Sequence, residues 1–254
     1  MSDSVQPETQ RLLDAAASQG LERHTIRSGF IRDAIIGLAD GLTVPFAVTA
    51  SLSSIGSTKL VILGGLAELL AGSISMGLGA YLATVTDARH FQVEEAREQR
   101  QVTGTPHLEG EILMDLFTQY GISREEISPI LQSFRQNPES WVKFMMDFEV
   151  KLERPSRSRP WISAFTMGMA YFVGGLIPMF PYFVVGHIST ALVASVGITA
   201  VMLSIFGYIK SVATGIGRFS ALYGSLETLL IGAVAAGASY SIVRSVNDWF
   251  EMGK

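Results

Sequence analysis

The sequence predicts an all-α membrane protein with five transmembrane helices and a helical domain set between the second and the third. Five apolar segments predict the spans: 30–55, 60–85, 160–185, 189–209 and 221–243. Each is long enough for about 30 Å of hydrocarbon, which takes roughly 20 residues at helical rise. Charge predicts the inserted domain. Charged residues are 17% of the 254, against 48% hydrophobic, well below the quarter of an average soluble domain, and they collect at the N-terminus and in 87–159. The mean hydropathy is +0.33. The organisation expected is an N-terminal cytosolic segment 1–28, the first two spans in 29–86, a cytosolic helical domain 87–157, and three further spans in 158–254.

Residues 1–20 are polar and show no short apolar region followed by a cleavage site, so the first span is expected to do the targeting. Within that span Pro45 removes a backbone donor, and a kink or local opening just after Asp40 is expected. The second span carries Gly65, Gly72 and Gly79 at heptad spacing, with Gly64, Ala71 and Ser75 beside them. Such small residues let membrane helices approach closely, either within one subunit or across a homodimer axis. In the third span Gly174, Gly175, Pro178 and Pro181 suggest a broken helix end or tight turn, with Tyr182 and Phe183 suited to the membrane interface. An odd number of spans argues against a two-half transporter in one chain, so a complete pathway would take two copies.

Lys and Arg set the orientation. Arg23, Arg27 and Arg32 precede the first span, Lys151, Arg154, Arg157 and Arg159 precede the third, and Lys210 and Arg218 separate the fourth and fifth. The opposite side has Lys59, Arg244 and Lys254. The positive-inside rule puts the N-terminus and the charged domain in the cytosol, and the C-terminus on the far side.

In the domain, residues 87–102 contain no helix breaker and continue the second span until Gly104 and Pro106. A helix follows from about Leu108 to Tyr120. Ser123-x-x-Glu126 is a capping box for the next, and Asn137-Pro138 caps the last. On that last helix Trp141, Phe144, Met145, Phe148 and Leu152 form an apolar stripe. Met at such positions is ordinarily core filler, while Met146 and Glu149 lie off the stripe, where they can reach a bound ion.

Asp40 in the first span and Glu68 in the second are the residues that point to function. A charge near the bilayer centre costs about 3 kcal/mol on insertion scales, so intramembrane carboxylates face a polar cavity or each other. With the thioether of Met76 they offer hard oxygen plus one softer ligand, which suits Mn²⁺ and tips toward Fe²⁺. The first two spans contain no His and the chain no Cys. That disfavours tight zinc or copper sites, excludes thiolate clusters and disulfides, and favours weak, reversible binding. Asp33 shares a helix face with Asp40 at seven residues' spacing, although a juxtamembrane charge beside Arg32 is the preferred account of it.

No phosphate-cradling loop of the G-x-x-x-x-G-K-[ST] kind occurs, so nucleotide-driven transport is not expected, whereas buried carboxylates can also carry protons. His24, His90, His107 and His187 are scattered, and His90 with Glu94 is read as a solvated pair. Glu227 lies near the end of the fifth span and is read as snorkelling. A di-metal oxidase would want Glu-x-x-His pairs, which no span contains. A membrane-anchored metal sensor that does not transport remains the alternative, against which the two intramembrane carboxylates argue. The net charge of −4 points to no nucleic-acid partner, and no prosthetic group is expected.

Four runs carry a resemblance: IIGLADGLTVPFAVTASLSS (35–54), GGLAELLAGSISMGLGAYL (64–82), NPESWVKFMMDFE (137–149) and GGLIPMFPYF (174–183). In them the chain resembles the vacuolar iron transporter family of plants and fungi over nearly all residues after about 28. The resemblance implies a homodimer of five-span subunits with the first spans lining a pathway on the dimer axis. It implies movement of Fe²⁺, and often Mn²⁺, from cytosol across the vacuolar membrane in exchange for protons. Matched residue by residue, the family's intramembrane ligands are Asp40, Glu68 and Met76, and its cytosolic metal-collecting residues are Glu98, Glu109, Met145, Met146 and Glu149. Where the plant pattern repeats Glu three residues on, this chain has Gln101 and Ile112, in which respect it looks more like the fungal branch. Either Glu94, Glu95, Glu111 or Asp115 substitutes, or the domain holds fewer ions.

Overall fold

Apolar content and length turn most of the chain into long helices. The structure, a computed structural model, describes residues 6–213 and 217–252, with side chains described from residue 29 on, 213 and 218 excepted. Its helices are α1 (Gln6–Ser53), α2 (Thr58–Gly104), α3 (Pro106–Thr118), α4 (Arg124–Gln136), α5 (Pro138–Met145), α6 (Arg159–Val184), α7 (Ile188–Ala213) and α8 (Arg218–Met252), with a π-helical turn at Met146–Val150. No strand occurs among the described residues. Gly29–Ser53, Thr58–Gly104, Arg159–Val184, Ile188–Val212 and Phe219–Met252 contain the five helices long and apolar enough to cross a membrane. The side chains of Arg23, Arg27, Arg218 and Lys254, on which part of the orientation argument rests, lie outside the described residues, as does that of His24.

The chain divides into two compact units, one of Met1–Tyr81 with Pro160–Lys254 and one of Leu82–Arg159. In the first, α1 and α2 are joined by a short reversal. Gly56 there holds φ +84°, a left-handed conformation that glycine reaches without steric penalty. Phe46, Ala47 and Ala50 of α1 pack on Ala236 of α8. Leu42 packs on Leu203 and Phe206 of α7. Leu69 of α2 meets Tyr171 and Met179 of α6, and the Tyr81 and Trp161 rings pack tilted at 53° with centroids 4.8 Å apart.

One expectation about breaks is corrected: α6 runs through Pro178 and Pro181 as a continuous helix. α1 likewise continues through Pro45. Gly174 and Gly175 are instead contact glycines. A Cβ on Gly175 would lie 2.6 Å from the Pro45 ring and 2.5 Å from Leu69, and one on Gly174 3.2 Å from the Leu38 carbonyl. The α1–α6 crossing is close on both sides, because a Cβ on Gly41 would lie 2.3 Å from the Tyr171 carbonyl oxygen. Backbone atoms cannot step aside, so Gly41→Val is expected to lower the melting temperature in detergent by several degrees, at about 2–4 °C per kcal/mol for a chain of this size. An unchanged melting curve would contradict this packing. Tyr182 is likewise not an interfacial residue. It is 2% exposed, hydrogen-bonded to Ser53 at 3.0 Å, and packed with Val61 and Ala191.

Of the glycine stripe on α2, Gly65 abuts Thr49 and Met179 and Gly72 abuts the Tyr171 ring, whereas Gly79 meets nothing within 4 Å. Two of its three positions therefore serve packing within the chain.

The second unit contains all of 87–157. Phe91 and Val102 of α2, Leu113 of α3, Ile127 and Leu131 of α4, and Trp141, Val142, Met145 and Met146 form its core. A large apolar side chain contributes about 2 kcal/mol on burial, enough in this number to hold four short helical pieces together. The capping box at Ser123 and Glu126 is formed in both directions, and Asn137 caps α5 by accepting from the Ser140 amide at 3.2 Å. One expectation fails. α5 does not continue to Leu152 but widens into the π turn, which ends at Lys151 with φ 56°. Within the wider turn Met146 joins the core at 2% exposure while Phe148 emerges at 54%.

Candidate metal centre

α2 stops at Gly104, Thr105 reverses the chain, and Pro106 opens α3 at a position where its missing N–H costs nothing. That reversal lays the last turns of α2 beside the first turn of α3, and so Glu98 beside Glu109. Glu149 comes from the π turn, a distortion that occurs often at functional sites. One carboxylate oxygen from each of the three lies within 4.8 Å of the others. Ligand distances of about 2.0–2.6 Å put opposed oxygens of a divalent cation roughly 4–5 Å apart, so the spacing fits one such ion.

Burial makes this arrangement costly when empty. Glu109 is 1% and Glu98 5% exposed, and Glu98 Oε2 and both Glu109 oxygens are buried without a hydrogen-bond partner. Burial, then the charges of Glu149 and Glu109, push the Glu98 carboxyl up to about 7. Glu109 and Glu149 are raised too, chiefly by burial. The three carboxylates offer hard oxygen donors. Met145 and Met146, at 0% and 2% exposure, are packed in the core cluster with Trp141.

The other acidic candidates are held elsewhere. Glu94 pairs with Arg97 at 3.5 Å, Glu111 with Arg124 at 3.1 Å, Asp115 with Arg124 at 3.4 Å, and Glu95 with Arg154. They are not drawn into the three-glutamate group. Ile112 packs against the core. Gln101, one turn beyond Glu98, keeps a buried amide oxygen without a partner.

In the first unit Glu68 is half-buried on α2, and Asp40 is exposed on α1. The Tyr171 hydroxyl of α6 donates to Glu68 Oε1, while Glu68 Oε2 is buried without a hydrogen-bond partner. The Tyr171 ring fits against Gly72, where a Cβ would come within 2.6 Å of it. Met76 packs against the same cluster as Tyr171. Asp33 is 1% exposed. It accepts from the Ser163 hydroxyl at 2.7 Å and lies 3.6 Å from Arg32. Sequence reasoning singled out neither Tyr171 nor Ser163. A hydroxyl-bearing side chain inside an apolar span was the available signal, and it does not say which carboxylate it meets.

The VIT family model matches residues 31–244. The chain is 43% identical to "Vacuolar iron transporter 1" of Arabidopsis thaliana, covering 96% of this chain and 95% of the relative. It is 36% identical to "Vacuolar iron transporter cccA" of Arthroderma benhamiae, covering 92% and 86%. It is 39% identical to "Protein CCC1" of Saccharomyces cerevisiae, covering 84% and 68%. Identity to the plant relative, 43%, is higher than to the two fungal ones, 36% and 39%. With a family model over most of its length and relatives near 40% identity throughout, the chain belongs to the vacuolar iron transporter (VIT) family.

Proposed function

We propose that this protein is a multi-pass transporter that moves Fe²⁺, and also Mn²⁺, from the cytosol into the vacuole in exchange for protons. The observation that carries the reading is Glu68, a carboxylate on a membrane-length helix, fixed through one oxygen by Tyr171 and with the other buried and unpartnered. An anchor has no reason to keep such a group, because its charge is expensive there unless it serves a polar path. Asp40 supports a path on a homodimer axis. It is exposed on the surface of the single chain, and facing lipid would cost it about 3 kcal/mol, so a second copy with water or ion between is the better neighbour. Met76 adds the softer ligand.

In this reading 1–28 and the domain 87–157 are cytosolic, the spans occupy 29–86 and 158–254, and the C-terminus is lumenal. Glu98, Glu109 and Glu149 collect the ion in the cytosol, and a carboxylate ligand set without thiolate or imidazole suits weak, reversible binding. The cation is substrate, and the exchange needs no prosthetic group.

The sensor reading draws on the same three-glutamate cluster, which would bind metal whether or not the spans conduct. Fe²⁺ uptake into proteoliposomes holding a fluorescent metal reporter separates the two. Uptake that rises with an acid interior and vanishes in Asp40→Asn is the expected result. If the wild type shows no uptake under any gradient while still binding metal through the glutamate cluster, the sensor reading replaces this one.

A further inference from the structure

The segment between the π turn and α6 carries a charge opposite to that of the whole chain. Residues 151–159, KLERPSRSR, set Lys151, Arg154, Arg157 and Arg159 against the single carboxylate of Glu153, in a protein of net charge −4. The segment is neither helix nor strand until α6 begins at Arg159. It is fastened to α2 by Arg154, which pairs with Glu95 and lies over the Phe91 ring. It ends in a turn closed by the Arg159 amide, which donates to the Ser156 carbonyl at 3.2 Å. Across that turn the Ser156 and Ser158 hydroxyl oxygens lie 3.4 Å apart, and Arg157 between them is exposed. Arg157 and Lys151 enter no ion pair among the described residues.

We propose that the Ser156–Arg159 turn clasps the phosphate of an anionic phospholipid in the leaflet where α6 enters the membrane. The inference rests on the reading of α6 as a span. A guanidinium matches phosphate oxygens through paired N–H donors, and two hydroxyls 3.4 Å apart are close enough to donate to one phosphate group. The headgroup layer is within reach of the chain. Trp161, 70% exposed, is an aromatic of the kind that sits at the membrane surface, and the four residues from Arg157 to it span at most about 14 Å when extended. Every phospholipid has a phosphate, but the cations of this segment repel a choline group, so lipids of net negative charge are favoured. Each Lys or Arg near such a surface is worth about 1 kcal/mol, roughly a fivefold gain in binding. Arg154 is held by Glu95, which leaves Arg157 and Lys151 as the charges that meet the lipid.

The full chain in phosphatidylcholine bilayers, with spin-labelled phosphatidylserine or spin-labelled phosphatidylcholine supplied to both leaflets, tests this through the electron paramagnetic resonance of lipid held at the protein. The wild type is expected to prefer phosphatidylserine about threefold at low salt, less as salt screens it. Arg157→Gln should lose about half of that preference. Ser156→Ala combined with Ser158→Ala, which keeps every charge, should lower it about twofold. Arg135→Gln, an equal loss of charge at the end of α4, should leave it unchanged. No preference in the wild type, full preference in Arg157→Gln or in the double alanine variant, or an equal fall in Arg135→Gln would each overturn the clasp. With lipid in both leaflets the result does not depend on which side the segment faces, and a chain that restrains neither lipid would remove the span reading instead.

Discussion

Glu109→Gln is expected to weaken divalent-metal binding at the glutamate cluster roughly a hundredfold, and to stabilise the metal-free protein. Both effects come from one cause. Glu109 is 1% exposed with neither oxygen hydrogen-bonded, so its carboxylate contributes a full charge to a bound cation and a full penalty without one. Losing a charged ligand of this kind costs about 3 kcal/mol, and 1.4 kcal/mol is a factor of ten. The amide that replaces it can donate to Glu98 and Glu149, relieving their repulsion in the empty site. Mn²⁺ titration gives the first effect, and the melting temperature in chelator gives the second. A variant that binds like wild type, or melts lower without metal, contradicts the assignment.

The same cluster predicts a pH dependence with a definite sign. Glu98 is raised from an ordinary 4.5 to about 7, and Glu109 and Glu149 are raised as well. A carboxyl raised in the folded state holds a proton that the unfolded chain has shed. Metal-free stability therefore falls as pH rises from about 4.5 to about 7, and levels off above. Metal must displace that proton, so affinity falls below pH 7 by up to tenfold per unit for each proton displaced. The direction suits a site that loads from a neutral cytosol.

Tyr171→Phe is the second large effect: the protein folds, and acid-driven Fe²⁺ uptake falls roughly tenfold. The ring still fills the space beside Gly72, so packing survives, but Glu68 loses the hydroxyl that fixes it. A hydrogen bond to a charged group contributes about 1.5–3 kcal/mol, and a carboxylate free to turn away from its working position forfeits much of that. Gly72→Ala should reproduce the defect by a different route, since its Cβ would meet the ring at 2.6 Å. Full uptake in Tyr171→Phe would show that Glu68 works without a positioning partner.

Much of the architecture is local physics and could be read directly. Segment length and apolarity gave five helices of membrane length, and Ser123 with Glu126 and Asn137 with Pro138 marked two helix starts, because a cap depends on three or four neighbouring residues. The intramembrane carboxylates Asp40 and Glu68 also stood out unaided, since cost at depth depends on residue type alone. The grouping of Glu98, Glu109 and Glu149 did not. Spacings of 11 and 40 residues carry no geometric signal, and it was family likeness that named those positions. What brings them within 4.8 Å is the α2–α3 reversal and the π turn, and no local preference announces the π turn. Gly174 and Gly175 were misread as a break because composition cannot tell a turn from a close crossing. Tyr171 as the partner of Glu68 was invisible for the same reason: the contact joins residues whose side chains meet only once helices have packed, and the packing energy is summed over the whole core rather than written in any one segment.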